Sequence, residues 1–150
     1  MESKEEPLRT GTLWSLLMDS PTFSHFIETN AESLDMPAFS VFITDLCRQR
    51  GEPPERVIRR SGIERSFGHQ LFRGTRNPSR DTVLLLAFGF QADIELAQTL
   101  LKYARCGQLY PRVRRDALIS FCLFHRYDLI QTQNLLAEKG MVLLGGDRTR

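Results

Sequence analysis

The sequence predicts an all-α protein, and three observations carry that expectation. Apolar residues recur at helical spacing, as in Phe39, Phe42, Ile43 and Leu46 at i, i+3, i+4 and i+7. No stretch alternates apolar and polar residues over the length of a strand. Glycine and proline cut the helical pattern into short pieces, which argues against a long up-and-down bundle.

From the N-terminus, Leu13, Leu16 and Leu17 mark a first short helix with Thr12 as its cap; Ser20-Pro21 breaks it, and Phe23, Phe26 and Ile27 mark a second. Residues 30–37 form a polar connection anchored by Leu34 and Met36, and the two helices are expected to lay an apolar lid on the central domain. A helix from Pro37 to about Arg50 stops at Gly51. The next enters at Pro54, buries Val57 and Ile58 and ends at Gly62; another spans about Arg65–Arg73, buries Leu71 with Phe67 or Phe72, and stops at Gly74. Ser79 is placed to cap an apolar helix over residues 81–90. The expected organisation is an acidic helical extension (1–37), a central domain (38–106) and a helical hairpin packed on the same core (107–150).

An internal repeat appears at an offset of 35 residues. Arg80-Asp81, Asp93, Gln98 and Leu100-Leu101 lie over Arg115-Asp116, Asp128, Gln133 and Leu135-Leu136 without a gap. The second aspartate of each copy is placed to cap a second helix, giving two stacked or pseudo-symmetric hairpins. Two copies are too few for a solenoid.

Bulk properties narrow the function classes. The 150 residues suffice for one domain with a core. No apolar run approaches the roughly 18 residues of a membrane helix, and the start, Met1 to Glu6, is unlike a secretory signal, so a cytoplasmic protein is expected. Three widely spaced cysteines (Cys47, Cys106, Cys122) without a Cys-x-x-Cys suit reduced, buried thiols. Cys122 and His125 share a helix face, but none of the other histidines and cysteines has zinc-like spacing to them, so no metal is expected. No nucleophile–base order, phosphate-cradling loop or paired-carboxylate signature stands out, and neither an enzyme nor a cofactor is expected. Asp81 and Asp116 read as first-turn charges, and Arg112, Arg114 and Arg115 as a second basic patch.

Charge is segregated along the chain. Residues 1–46 hold two bases against eight acids, and residues 47–80 hold nine bases, all arginine, against three acids. Arginine is favoured where phosphate, guanine or carboxylate is bound by a planar fork.

The stretch Ile58–Pro78, and more loosely Phe39–Leu101, resembles the lambda-repressor-like (XRE, Cro-type) helix-turn-helix family. The resemblance rests on Ser61-Gly62-Ile63, Arg65-Ser66 opening the second helix, Leu71 in its core, Arg73-Gly74 closing it, and Arg76-Asn77-Pro78-Ser79 before the next helix. It implies a helix-turn-helix core that binds double-stranded DNA, its second helix in the major groove. By position, Arg65, Ser66, Phe67 and Gln70 would touch bases, and Arg59, Arg60, Arg73, Arg76 and Asn77 would hold phosphates. The implied protein is a sequence-specific transcriptional regulator acting as a homodimer on two half-sites.

Some positions depart from the family pattern. Pro54 stands where a phosphate-bracing glutamine is common, Ile58 where alanine is usual, and Gly68 where a large aliphatic is usual. Ile58 is therefore expected to fill the space above Gly68. Glu64 at the start of the second helix suits the helix dipole but repels phosphate. The alternative function is a protein-interaction module that keeps the shape without reading DNA, with the N- or C-terminal helices as docking faces and the acidic N-terminal block lying over the basic middle.

Overall fold

In the computed structural model, which describes residues 8–146, the chain is all-α. The helices are α1 (Thr10–Asp19), α2 (Phe23–Asn30), α3 (Phe39–Arg50), α4 (Pro54–Ser61), α5 (Arg65–Arg73), α6 (Arg80–Gly89), α7 (Ile94–Tyr103), α8 (Arg114–Phe124) and α9 (Leu129–Glu138). Among the described residues none of these helices is long and apolar enough to cross a membrane. Side-chain caps start α2, α5, α6, α7 and α9, and left-handed glycines end α3, α4 and α5. The expectations for Met1–Pro7 and for Asp147–Arg150 lie outside the described residues. The chain divides into two compact units between Met36 and Pro37.

In the smaller unit, α1 begins without a side-chain cap, and Thr12 lies inside the helix rather than capping it. Thr22 caps α2 by accepting from the His25 N–H at 3.1 Å. A single 3-10 turn, Ala31–Ser33, comes next. Phe26 and Asn30 are buried, and the Asn30 amide donates to the Phe26 carbonyl at 3.0 Å. Trp14, Met18 and Phe23 are exposed, and so is Met36, contrary to its expected role as an anchor.

The larger unit is built around α6, in which every residue from Thr82 to Gly89 is buried. Ser79 caps it through the Thr82 N–H, as expected, although the helix starts at Arg80 rather than Asp81. Ring stacking of Phe42 on Tyr103, 4.3 Å between centroids and 11° between planes, joins α3 to α7. Residues of the C-terminal hairpin (Ile119, Cys122, Leu123, Leu136, Leu144) share one hydrophobic cluster with Ile43, Val57, Leu71 and Val83.

The repeat is present down to its hydrogen bonds. Asp93 accepts from the Leu96 N–H and Asp128 from the Gln131 N–H, each at 2.8 Å. Gln98 brackets the Leu109 peptide unit with its amide, and Gln133 brackets Leu144 in the same way. Arg80 forks onto both Asp116 oxygens (3.0 and 2.8 Å) and reaches the Gly107 and Gln108 carbonyls. Arg115 forks onto both Asp81 oxygens (2.9 and 2.9 Å) and reaches the Val142 and Leu143 carbonyls. The Tyr110 N–H donates to Asp116 and the Gly145 N–H to Asp81.

Each of these contacts of one copy recurs in the other at the offset of 35, and the arginine–aspartate pairs are exchanged between copies. A translational stack would leave one arginine and one aspartate over. Reciprocal exchange closes the pair, so the two copies are related by a pseudo-twofold rotation. Asp81 and Asp116 are therefore halves of a double clasp rather than simple first-turn charges, and Arg115 belongs to the fold rather than to a basic surface patch.

Burial pushes the Asp81 carboxyl up, but the Arg115 hydrogen bonds and the Gly145 N–H outweigh it and hold the group below its ordinary value. Asp81→Asn is expected to cost about 2–4 kcal/mol at neutral pH, because Arg115 keeps its partly buried position without a counter-charge. A depressed folded pKa contributes stability above the unfolded value and loses it as pH falls through the folded one. Urea unfolding of the two proteins should thus give a gap that narrows between neutral pH and about pH 3; a gap of constant size would contradict the assignment.

Candidate nucleic-acid interface

The α4–α5 unit arises from a few local constraints. Pro54 occupies the first turn of α4, where its missing N–H has no partner to lose. Gly62 ends α4 in the left-handed region at φ 69°, and Gly74 ends α5 at φ 79°. Between them Ile63 is buried. Glu64 caps α5 with both oxygens, one accepting from the Ser66 N–H and the other from the Phe67 N–H, each at 2.8 Å. Those two bonds pull its carboxyl below the ordinary glutamate value. The first N–H groups of α5, often an anion site, are thereby already occupied by a carboxylate.

The volume exchange between α4 and α5 is as expected. A Cβ on Gly68 would stand 2.6 Å from Ile58 Cγ2 and 2.8 Å from Cγ1, so the isoleucine fills the space a side chain would need. Leu71 is buried on the same side of α5, and Phe67 and Phe72 pack partly buried against the core.

The residues expected to meet DNA divide into an exposed set and an engaged set. Ser66, Arg73, Arg76 and Asn77 are exposed, as is Arg59 on α4. Arg65 is 75% exposed, and its Nε pairs with the Glu55 carboxylate, which this contact holds below its ordinary value. Gln70 is half-buried, and its carbonyl accepts from the Thr75 N–H at 3.1 Å. Phe67 is also half-buried, with the Arg76 guanidinium 5.8 Å from its ring centroid.

Arg60 is engaged inside the fold. Its Nε donates to the Gly89 carbonyl at 2.8 Å and its terminal nitrogen pairs with Glu52, so the group expected to hold phosphate ties α4 to α6 and to the α3–α4 connection. Two other arginines of the basic block do similar work. Arg50 donates to the Phe90 carbonyl, and Arg80 belongs to the clasp. The block thus contributes less positive surface than its composition suggests.

Among the described residues no three of His, Cys, Asp and Glu are gathered as a metal site. His125 lies against the Phe121 ring, 4.2 Å between centroids. Burial and the nearby Glu52 push the Cys47 thiol up to about 11, and burial also raises Cys106 and Cys122, so these thiols stay protonated at neutral pH. Comparison with protein-family models, characterised proteins and solved structures returns no match.

The contact between Ile58 and Gly68 makes a prediction whose sign reverses. In the wild-type background Gly68→Ala is expected to destabilise by about 1–3 kcal/mol, the overpacking cost exceeding the gain of about 1 kcal/mol in helix propensity. In an Ile58→Ala background the same change should stabilise, because the added methyl enters the cavity. Thermal unfolding of the four proteins in this cycle measures the coupling; additive effects would show that the two side chains do not compete for one space.

Proposed function

We propose that the chain is a sequence-specific DNA-binding regulator of the lambda-repressor-like type, which presents α5 to the major groove. The observation that carries this reading is the exposed edge of α5 and its exit. Ser66, Gln70 and Arg73 fall on one side of the helix at i, i+4 and i+7, Arg65 stands beside them, and the exposed Arg76-Asn77 lies in the loop beyond. The opposite side, Gly68 and Leu71, is buried, so the helix is held by its back.

The chemistry of each group suggests its role. Arg65 can fork onto guanine and Gln70 can pair with adenine, with Ser66 at the first turn. Arg73, Arg76 and Asn77 would fix phosphates and register. Phe67 is assigned to the support of Arg76 through their ring contact rather than to a base. Two protomers on two half-sites would supply discrimination that one short helix lacks.

A second reading has its own support. Glu64 and Glu55 place two carboxylates at the start of α5, where a DNA backbone would pass. A protein-interaction module that retains the α4–α5 shape would tolerate both.

Selection from a random duplex pool, at stated salt, followed by titration of the selected site distinguishes them. On the DNA-binding reading, Arg65→Ala relaxes preference at one base position by about 1–3 kcal/mol. Arg76→Ala weakens all duplexes alike and reduces the salt slope by about one. A pool that yields no enriched motif, or two variants with identical effects on every sequence, would favour the interaction module.

A further inference from the structure

A cleft of about 760 Å³ opens between the end of α4 and the α8–α9 turn; of its lining, only Arg59 and Arg60 were expected to hold DNA phosphates. Its volume lies in the range of small-molecule sites, roughly 300–1,000 Å³. Leu123, Tyr127, Leu129 and Ile130 form an apolar wall, and Arg59 and Arg126 stand at the rim. Both arginines are exposed; Arg126 donates one bond to the Gln91 carbonyl at 3.2 Å. The other lining cation, Arg60, is already paired with Glu52. The lining carboxylate, Asp128, is occupied as the cap of α9.

The pseudo-twofold shows that this wall is specific to one copy. A second cleft, about 440 Å³, shares Gln91 and Arg126 with the first and is lined by Asp93 and Glu95 of the other copy. At the offset of 35, Ile130 corresponds to Glu95 and Tyr127 to Ala92. One copy therefore has a carboxylate where the other has isoleucine, and that isoleucine is 71% exposed. That exposed isoleucine stands in the apolar wall of a cleft which two arginines also line.

We infer that this cleft is a binding site for a small amphiphilic anion, whose apolar body lies on Leu123, Tyr127, Leu129 and Ile130 and whose carboxylate-type head pairs with Arg59 and Arg126. The head is bound by two guanidinium groups that approach from different elements, α4 and the α8–α9 turn, so the ligand bridges them. A neutral molecule of the same shape gains the wall without the pairing. A cationic one meets the two arginines.

Fluorescence titration of the full chain with 1-anilinonaphthalene-8-sulfonate, and with its uncharged analogue N-phenyl-1-naphthylamine, tests the inference. The sulfonate should saturate at one molecule per chain and bind about tenfold more tightly than the neutral compound. Arg59→Gln combined with Arg126→Asn should bring the sulfonate down to the affinity of the neutral probe, which itself stays unchanged. Asparagine is chosen because Arg126 has φ 61°, a region it tolerates. Ile130→Glu, at an exposed position, should weaken both probes. Circular dichroism melts verify folding of each variant; if the double variant does not fold, Arg59→Gln alone should still weaken the sulfonate about threefold. Non-saturable binding, equal affinity for the two probes, or a sulfonate affinity indifferent to the arginine changes would overturn the inference.

Discussion

The close crossing of α4 over α6 at Gly89 is the constraint on which the larger unit depends. A Cβ there would stand 2.5 Å from the Val57 carbonyl oxygen and 3.0 Å from Ser61 Cβ, so the two helices meet backbone to backbone. Arg60 then reaches the Gly89 carbonyl and closes the contact from the side. Under the pseudo-twofold the position equivalent to Gly89 is Phe124, and that ring is 70% exposed. No helix can approach α8 over a phenylalanine as α4 approaches α6 over a glycine. The choice between the two copies is thus made at one residue: the copy with glycine seats α4, and the copy with phenylalanine leaves its corresponding face to solvent.

The clasp of Arg80 with Asp116 and Arg115 with Asp81 gives the pair of copies its register. Each arginine also binds two carbonyls of its own copy's tail, so the guanidinium fork is filled on both sides. Each aspartate accepts an N–H from the tail that faces it. A partly buried ion pair is weak evidence for stability when its remaining hydrogen-bond groups are unmet. Here they are met, and the same contacts organise Gly107–Tyr110 and Val142–Gly145, segments that lack regular structure of their own. The clasp is therefore a device for ordering loops as much as for joining helices.

Much of this was legible in the sequence, and the rest failed for identifiable reasons. Glycine stops at 51, 62 and 74 and aspartate caps at 93 and 128 are local effects, set by a few neighbouring residues, and each stands where expected. The exchange of volume between Ile58 and Gly68 was readable because both positions depart from a family pattern in compensating directions. The repeat was visible, but its consequence was not. An offset gives equivalence of residues and says nothing of the operator relating the copies, so Asp81 and Asp116 read as helix-start charges. Arg60 and Arg50, both counted in the basic block, show a related limit. A linear count of arginines cannot distinguish a guanidinium bound to a carbonyl 29 or 40 residues away from one in solvent. Thr12 failed more simply, since α1 starts at Thr10, with Arg9 at the cap position and no side-chain cap.

The electrostatics at the start of α5 decide how the proposed DNA contact would form. Arg65 rests on Glu55 at an exposed site, and such pairs hold little energy because water screens them and two long side chains must be fixed. A guanine edge offers two acceptors to a guanidinium fork, so on the proposed reading Arg65 would exchange Glu55 for guanine as α5 docks. Glu64 behaves differently. Its two backbone bonds are part of the helix start itself, and no exchange frees them without exposing the Ser66 and Phe67 N–H groups. DNA would therefore meet a fixed negative charge at Glu64 and a releasable positive one at Arg65, one position apart. Backbone phosphates at that end of the helix would be disfavoured, and on the proposed reading the phosphate grip would pass to Arg73, Arg76 and Asn77 at the other end. On this reading the protein would be oriented on DNA from the exit of α5, with its entrance left to discriminate bases.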